Sequence, residues 1–276
     1  MSTTLAITVL AENRTTRRGL IAEHGLALWI EAGSRCILFD TGQGLALAHN
    51  PKLMGIDLTA AADVVLSHGH YDHAGGLDTV LARVPHIRLY AHPEAFRERY
   101  ERQPDGRVEP VGASVPPDLD TRVMFHPVTS PTQLGPDILL TGEVPRRTVF
   151  EDVGGVFYCD RACTRADQLP DDLAMAVDTP RGTVVVLGCG HAGLVNTLEY
   201  VRYLTAERPI YAVVGGMHLA NASADRVEQT IAALRRHEVE VIAPLHCTGL
   251  RPTAAILEAF PDRFLELRVG MRHDFA

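Results

Sequence analysis

One short segment, residues 67–76, reads SHGHYDHAGG and carries three histidines and an aspartate within six positions. Imidazole nitrogen and carboxylate oxygen are ligands that suit zinc, and also manganese or iron. His68 and His70 alternate and can point the same way, whereas Asp72 and His73 follow the bend and aim at a second point nearby. The competing interpretation is a solvated loop or a buried histidine cluster, but clustered imidazoles repel one another once they are protonated. The spacing therefore predicts a metal site.

The sequence on either side of this motif predicts a strand and a helix. Residues 62–66 form a short apolar run rich in β-branched side chains, which is typical of a buried strand. From Leu77 to Val84 the apolar residues recur at helical spacing. The predicted ligands therefore lie on a loop between a strand and a helix, at the carboxyl end of the strand, where open α/β sheets place their sites.

The same pattern recurs three times further along the chain. Buried apolar runs at residues 183–187, 210–214 and 239–245 lead to His191, His218 and His246, respectively, and a predicted helix follows each histidine. Because the ends of strands from one sheet region converge, these histidines can meet the first motif in one cleft. We expect His191 and His246 to be ligands, and His218 to be a possible ligand or a residue behind the ligands.

Together these motifs resemble the metallo-β-lactamase superfamily, and the similarity covers nearly the whole chain. It includes residues 39–42, FDTG, whose Asp40 matches an aspartate that the superfamily carries at a strand end before its metal motif. The segments at residues 140–146, 188–193, 215–219 and 246–249 resemble the branch named for a synthase that joins a dihydropterin to a ribofuranosyl-aminobenzene phosphate. The resemblance implies an α/β fold, the four-layer αββα sandwich, as a single domain over residues 1–276 with loop insertions near 102–120 and 145–172.

The chain departs from the superfamily at one strand end. The TPGHT-like and TGD stretches of many superfamily hydrolases are absent, and the GCGH stretch at residues 188–191 stands near the place of the second. Either Cys189 or His191 could therefore be the ligand. We favour His191, with Cys189 as an alternative ligand or a partner behind the ligands. Asp40 is expected to fix the tautomer of a ligand histidine, although an aspartate that ends a strand in a tight turn is an equal alternative.

The expected centre is dinuclear, with two divalent ions for which zinc is favoured and manganese or iron are alternatives. The residues expected at metal one are His68, His70 and His191, and those expected at metal two are Asp72, His73 and His246. A hydroxide that bridges the ions would attack an ester, lactone or phosphoester bond. We expect Asp72 and His191 to carry the catalysis, with Asp72 also orienting the hydroxide.

Two other function classes compete with this hydrolase. The branch name favours a transferase or synthase that uses the same Lewis-acidic site. A redox or non-catalytic metal-binding protein is less favoured, because the redox class usually needs a flavin domain and a non-catalytic module has usually lost part of the motif.

Composition limits the partners. The chain has 276 residues, 46% of them hydrophobic and 22% charged, with a net charge of −8. The negative charge argues against nucleic acid or an anionic membrane and favours a small-molecule substrate. We expect that substrate to be anionic and to be placed by Arg146, Arg147 and backbone amides near Gly75 and Gly76. Five cysteines without a signal segment predict reduced thiols in the cytoplasm.

Overall fold

The computed structural model describes residues 3–61, 63–84, 86–115 and 119–275. Its strands are β1 (Leu5–Ala11), β2 (Ala27–Ala32), β3 (Arg35–Phe39), β4 (Asp63–Val65), β5 (Ile87–Ala91), β6 (Tyr100–Arg102), β7 (Val108–Pro110), β8 (Val123–Pro127), β9 (Thr132–Gly135), β10 (Ile138–Leu140), β11 (Phe157–Tyr158), β12 (Ala174–Thr179), β13 (Gly182–Leu187), β14 (Ile210–Gly216), β15 (Val241–Leu245) and β16 (Arg272–Phe275). Its α-helices are α1 (Leu45–Met54), α2 (Tyr71–Ala74), α3 (Leu77–Leu81), α4 (Leu119–Arg122), α5 (Leu194–Leu204), α6 (Ala224–Arg236) and α7 (Leu250–Ala259).

Two large sheets carry the architecture. One has seven strands in the order β16-β1-β2-β3-β4-β5-β8, and the other has six in the order β15-β14-β13-β12-β10-β9. Strands β3, β4 and β5 are parallel neighbours in the first sheet, and β13, β14 and β15 are parallel neighbours in the second. The carboxyl ends of parallel strands meet at one edge of a sheet, so the segments that follow these strands are brought together.

Side-chain alternation along the strands explains how the sheets stack. On β13, Val184 and Val186 belong to the core between the two sheets, whereas Val185 and Leu187 pack with residues of α5, α6 and α7. The outer face of the first sheet packs in the same way against α1 and α3. Successive side chains of a strand point to opposite faces, so a wholly apolar strand buries both faces. The predicted four-layer αββα sandwich is confirmed.

The helix that follows β14 agrees closely with its prediction from the sequence. The helical spacing of Val227, Ile231 and Leu234 in the sequence predicts a helix from Ser223 to His237. In the structure α6 runs from Ala224 to Arg236, with Ser223 and His237 as its caps. The Ser223 hydroxyl accepts a hydrogen bond from the backbone N–H of Arg226 at 3.2 Å, which satisfies a free donor of the first turn. Leu234 is fully buried on the inner face.

The first metal motif differs from its prediction as a loop. Residues 71–74 form the one-turn helix α2, so Asp72 and His73 lie on a helix and not on an open loop. The helix predicted from Leu77 to Val84 is shorter in the structure, where α3 ends at Leu81. The strand predicted at residues 62–66 corresponds to β4, and residue 62 lies outside the described residues.

The two predicted loop insertions pair with each other. A three-stranded sheet in the order β11-β6-β7 joins them, with Phe157 opposite Glu101 and Glu101 opposite Glu109. Both predicted insertions therefore contribute a strand to this sheet, although residues 116–118 lie outside the described residues. The single-domain organisation stays a prediction. None of the described helices is long and apolar enough to cross a membrane.

We expect Leu28→Ala to lower the free energy of unfolding by about 2–5 kcal/mol, because the side chain is 0% exposed between the sheets and its loss leaves a cavity. Leu45, which is 62% exposed on α1, supplies the matched control, and its change to alanine should stay within about 0.5 kcal/mol. Urea denaturation of both metal-free variants measures this. Equal losses would show that the layer between the sheets is not the stabilising core.

Candidate metal centre

Three predicted ligands of metal one lie together in the structure. One ligand atom from each of His68, His70 and His191 lies within 4.8 Å of the others, and all three residues are buried. The Nε2 atom of His68 is 3.1 Å from the Nδ1 atom of His70. The Nε2 atom of His191 is buried and has no hydrogen-bond partner among the described residues. A buried polar atom without a partner is costly unless an ion takes its lone pair.

The predicted ligands of metal two also converge. The Nε2 atom of His246 lies 3.1 Å from the Oδ2 atom of Asp72 and 3.1 Å from the Nε2 atom of His73. Asp72 Oδ2 and His73 Nε2 are 3.7 Å apart. The rings of His68 and His73 have centroids 4.3 Å apart, so the two groups of donors are adjacent. The structure thus brings all six predicted ligands into one centre.

Hydrogen bonds on the outer side of the rings decide which nitrogen faces inward. His191 Nδ1 is 2.7 Å from the carbonyl oxygen of Val153, and His246 Nδ1 is 2.8 Å from Oδ1 of Asn13. Both oxygens can only accept, so each Nδ1 carries the proton and donates. The Nε2 atoms of both rings then present lone pairs to the centre. This is the arrangement in which proteins hold metal-ligating histidines.

Asp40 fixes two further rings. Its Oδ2 atom accepts from His73 Nδ1 at 2.7 Å and from the hydroxyl of Ser67 at 2.7 Å. Because Ser67 has given its only proton to Asp40, its oxygen must accept from His68 Nδ1, which is 2.9 Å away. In both rings Nδ1 therefore carries a proton and points away from the centre, which leaves Nε2 as the nitrogen that faces it. The buried carboxylate of Asp40 thus lies behind His73, which is one of the predicted ligands.

The charges of the centre favour a cation. Burial, together with repulsion between neighbouring rings, holds the pKa of His68 and of His191 well below the usual value, so these rings are neutral. Burial also opposes the charged form of His73, but the carboxylates of Asp72 and Asp40 outweigh it and raise the pKa of His73 to about 9. At neutral pH without metal, His73 is therefore protonated, and an ion at its Nε2 would displace that proton. Neutral imidazoles beside two buried carboxylates form a donor set that suits divalent ions such as zinc, manganese or iron.

Both candidates at the ambiguous strand end reach the centre. His191 joins His68 and His70, whereas the Sγ atom of Cys189 lies 3.1 Å from His73 Nε2 and forms a group with His68 and His73. Cys189 also belongs to a separate group with His218 and Cys247. The sequence posed Cys189 and His191 as alternatives, but in the structure they occupy different places in the same centre.

Sequence reasoning missed His24 and two buried aspartates. His24 Nε2 lies 3.2 Å from Asp72 Oδ2, although more than half of the His24 side chain is exposed. No motif connects it to the first metal motif, so no local signal marked it. Asp171 accepts from the backbone N–H of Gly69, and Asp172 accepts from that of Ala192, both at 2.8 Å. The two aspartates could have been found from the sequence, because they are adjacent carboxylates directly before an apolar strand.

Each of these aspartates anchors a segment that carries ligands. Asp171 holds the backbone between His68 and His70, and it also pairs at 2.8 Å with the guanidinium of Arg99, whose side chain is completely buried. Burial raises the pKa of Asp172 to about 6, while its hydrogen bonds with the backbone after His191 favour the ionised form. The segments that follow β4 and β13 are therefore fixed by carboxylates from one short stretch.

The anion-binding role predicted for Arg146 and Arg147 stays a prediction, and Arg146 has other hydrogen-bond partners in the structure. The guanidinium of Arg146 donates to the carbonyl oxygens of His191 and Gln168, at 2.6 Å each, and so holds the backbone of the centre. Neither arginine is among the described residues that line the cavity above the centre. Arg147 is exposed, and its backbone N–H donates a hydrogen bond to the side-chain oxygen of Asn196.

The anion site predicted at Gly75 and Gly76 also stays a prediction, but both amides are hydrogen-bonded within the protein. The N–H of Gly75 donates to the carbonyl of Tyr71, and the N–H of Gly76 donates to the carbonyl of Gly42. These amides are therefore already engaged in holding the motif against the neighbouring turn. A substrate would have to displace these backbone hydrogen bonds to reach them.

A cavity of about 670 Å³ opens above the centre. Its lining includes ligand candidates, aromatic rings and side chains of the small third sheet: Asn13, His24, His70, Tyr71, Asp72, Glu101, Gln103, Glu109, Val111, Phe157, Cys189, His218, Asn221, His246 and Cys247. Phe157 on β11 packs against the ring of His70, with centroids 4.9 Å apart. The sheet built from the two predicted insertions therefore forms one wall of the cavity.

Comparison with known proteins agrees with this geometry. The family model of the metallo-β-lactamase superfamily matches residues 21–208. This chain belongs to the metallo-β-lactamase superfamily. A Methanocaldococcus jannaschii protein named 7,8-dihydropterin-6-methyl-4-(β-D-ribofuranosyl)-aminobenzene-5′-phosphate synthase is 29% identical over 262 residues, which cover 90% of this chain and 89% of that protein. The resemblance to this branch, predicted from the motifs, is confirmed.

Solved structures extend the comparison. Tm1679, described as a metal-dependent hydrolase of the β-lactamase superfamily, matches with a TM-score of 0.85 and 30% identity, covering 99% of both chains. The Zn²⁺-bound PqqB of Methylobacterium extorquens matches with a TM-score of 0.55 and 11% identity, covering 98% of this chain and 100% of that one. The second likeness shows a shared fold only. Membership of this superfamily is consistent with a metal-dependent enzyme.

We expect Asp40→Asn to weaken metal binding about 10–100-fold, because the change removes the charge that orients His73 and, through Ser67, His68. Competition with a chromophoric chelator measures the affinity. Asp78→Asn, an exposed carboxylate on the nearby α3, is the control and should leave the affinity unchanged. If both variants bind metal as the unmodified protein does, Asp40 has no role in holding the ligands.

Proposed function

We propose that this protein is a dinuclear metal-dependent hydrolase that acts on an ester, lactone or phosphoester bond. The observation that carries the proposal is the adjacency of two donor groups, with the outer nitrogens of His68, His73, His191 and His246 held by hydrogen bonds and their Nε2 lone pairs facing inward. The similarity to Tm1679, whose description is that of a metal-dependent hydrolase, supports the same reaction class.

The residues divide between two ions. His68, His70 and His191 would hold the first ion, and Asp72, His73 and His246 would hold the second. When bound, two divalent ions supply Lewis acidity and make water easier to deprotonate, for which zinc is the favoured metal. The paired rings and carboxylates are built in advance of binding, so little reorganisation is needed.

Asp72 has a second task in this proposal. Its Oδ2 atom lies within 3.2 Å of both His24 Nε2 and His246 Nε2, and its side chain is 8% exposed at the floor of the cavity. A carboxylate in that position can accept a hydrogen bond from the attacking water and orient it. Burial opposes ionisation of Asp72, but the rings of His73, His24 and His246 hold its pKa well below the usual range. The carboxylate therefore stays ionised for this role.

The cavity indicates how a substrate would be bound. Tyr71 and Phe157 offer ring surfaces, and Glu101 and Glu109 place carboxylates in the wall. Since Arg146 and Arg147 are not in this lining, an anionic substrate group would have to face the ions and not these arginines. The sequence expectation of an anionic small molecule therefore rests on the metal positions alone.

A second candidate function is a synthase that joins a dihydropterin to a ribofuranosyl-aminobenzene phosphate. The observation in its favour is the 29% identity to the Methanocaldococcus jannaschii protein of that name, which extends over 90% of this chain. The same donor groups would serve either reaction, because Lewis acidity can stabilise negative charge on a substrate in bond formation as well as in bond cleavage.

Metal counting tests the dinuclear assignment. The reconstituted protein should hold at least two ions in these nitrogen and oxygen groups, because six ligands are too many for one tetrahedral ion. His191→Ala and His246→Ala should each remove one ion, from different positions. His49→Ala is the matched control, since that histidine is exposed and bonds only the carbonyl of Gly19. Elemental analysis that finds one ion in these groups, unaffected by His246→Ala, would refute the assignment.

A substrate panel tests the reaction. Protein loaded with zinc or manganese should hydrolyse at least one member of a set of phosphodiesters, phosphomonoesters, lactones and thioesters. Asp72→Asn should lower kcat by about 100-fold or more, because water orientation and one ligand are lost together. The His49→Ala control should retain full activity. The absence of turnover by a protein with two bound ions, together with formation of the joined product from the synthase substrates, would replace the hydrolase by the second candidate.

A further inference from the structure

Three neighbouring strands end in a set of donors that the proposed dinuclear site does not use as a unit. Cys189 follows β13, His218 follows β14 and Cys247 follows β15, and these strands are parallel neighbours. One ligand atom from each residue lies within 4.8 Å of the others. His218 and Cys247 belong to neither of the histidine and carboxylate groups described above. Two thiols and an imidazole thus share one corner of the centre.

The surrounding backbone makes room for these side chains. A Cβ atom on Gly216 would lie 2.5 Å from the Sγ atom of Cys247, and a Cβ atom on Gly154 would overlap the ring of His218. His218 itself has a φ of 44°, which is uncommon for a residue other than glycine. Backbone strain of this kind persists where the surrounding structure requires a particular side-chain direction.

The His218 ring is incompletely paired. Its Nδ1 atom is buried without a hydrogen-bond partner among the described residues. The ring lies against His191, with centroids 4.2 Å apart, and so cannot turn freely. A buried ring nitrogen with no partner is costly in an apolar setting, and a metal ion that accepted the lone pair of that nitrogen would remove the cost. Packing alone does not explain why a histidine occupies this position.

We propose that Cys189, His218 and Cys247 hold a further metal ion of the thiolate-seeking class, with zinc as the favoured ion. Two sulfur donors and one imidazole are a donor set that selects zinc over magnesium, calcium or manganese. The two thiolates neutralise a divalent ion, which limits its repulsion of the neighbouring ions. This site does not depend on which reaction the protein catalyses.

A fourth ligand of this ion would have access from the cavity. All three residues are in the cavity lining, so solvent or a substrate group reaches the ion directly. Three protein ligands with one open position is the arrangement of zinc sites that exchange a ligand, whereas a structural site is closed by four. The ion would therefore bind an anionic or thiol group of a molecule in the cavity.

Cobalt spectroscopy tests the site independently of activity. Cobalt(II) is added to the reduced, metal-free full-length protein, and the near-ultraviolet band that arises from thiolate-to-cobalt charge transfer is recorded with the number of ions bound. The unmodified protein should show the band. Cys247→Ser should lose most of the band and one bound ion per chain, and His218→Asn should lose the ion at the same position.

Two controls separate this site from the others. Cys36→Ser changes a thiol on β3, outside the group, and should leave the spectrum unchanged. His70→Ala removes a ligand of the first ion only, so it should lower the metal count and keep the band. Circular dichroism confirms that each variant is folded. Because His70→Ala and Cys247→Ser report on different positions, failure of the dinuclear assignment and failure of this proposal are distinguishable.

Specific results would overturn the proposal. If the unmodified protein binds cobalt without a thiolate band, the cysteines are not ligands. If Cys189→Ser abolishes the band while Cys247→Ser and His218→Asn retain it, Cys189 binds an ion of the His68 and His73 group by itself. Either result removes the further site and leaves the proposed dinuclear centre to be judged on its own metal count.

Discussion

Ring nitrogen atoms of several buried histidines face one another across about 3 Å, and the rest of the centre depends on keeping them there. Lone pairs at that distance repel unless a cation lies between them, so each ring has to be held from behind. The buried carboxylate of Asp40 does this for His73 directly and for His68 through Ser67. A carbonyl and a side-chain amide do the same for His191 and His246. Metal affinity is thus largely set by groups that touch no metal.

Backbone strain accompanies this arrangement at the strand ends. Asp40, His218 and His246 all have positive φ values, from 44° to 59°, where residues other than glycine are uncommon. Each such residue costs about 1–3 kcal/mol, and the packed sheets on either side supply the stability that tolerates the cost. The packing is also tight at Gly188, because a Cβ atom at this position would overlap the side chain of Ser67. At the edge of the sandwich where the strands end, the backbone therefore adopts conformations that direct the side chains at a cost in stability.

The fold by itself leaves the reaction open. Tm1679, described as a hydrolase, and a relative named as a synthase both match this chain over most of its length, at 30% and 29% identity. What distinguishes such proteins is the wall of the cavity and the donors at its floor. Here that wall is the small sheet β11-β6-β7, with Phe157 against His70, and the floor adds two thiols to the expected histidines and carboxylate.

The sequence by itself determined the superfamily, because a metal motif within six positions needs no distant contact to be recognised, and the four layers were implied by that resemblance. It also predicted the convergence of all six ligands, because each group follows an apolar strand and the ends of strands from one sheet region meet. Only the tertiary structure decided the rest. Cys189 and His191 serve different donor groups, Arg146 binds backbone carbonyls, and His24 reaches Asp72 across 48 positions. Those outcomes depend on the order of the strands in two packed sheets, which brings together residues whose separation along the chain carries no signal of their contact.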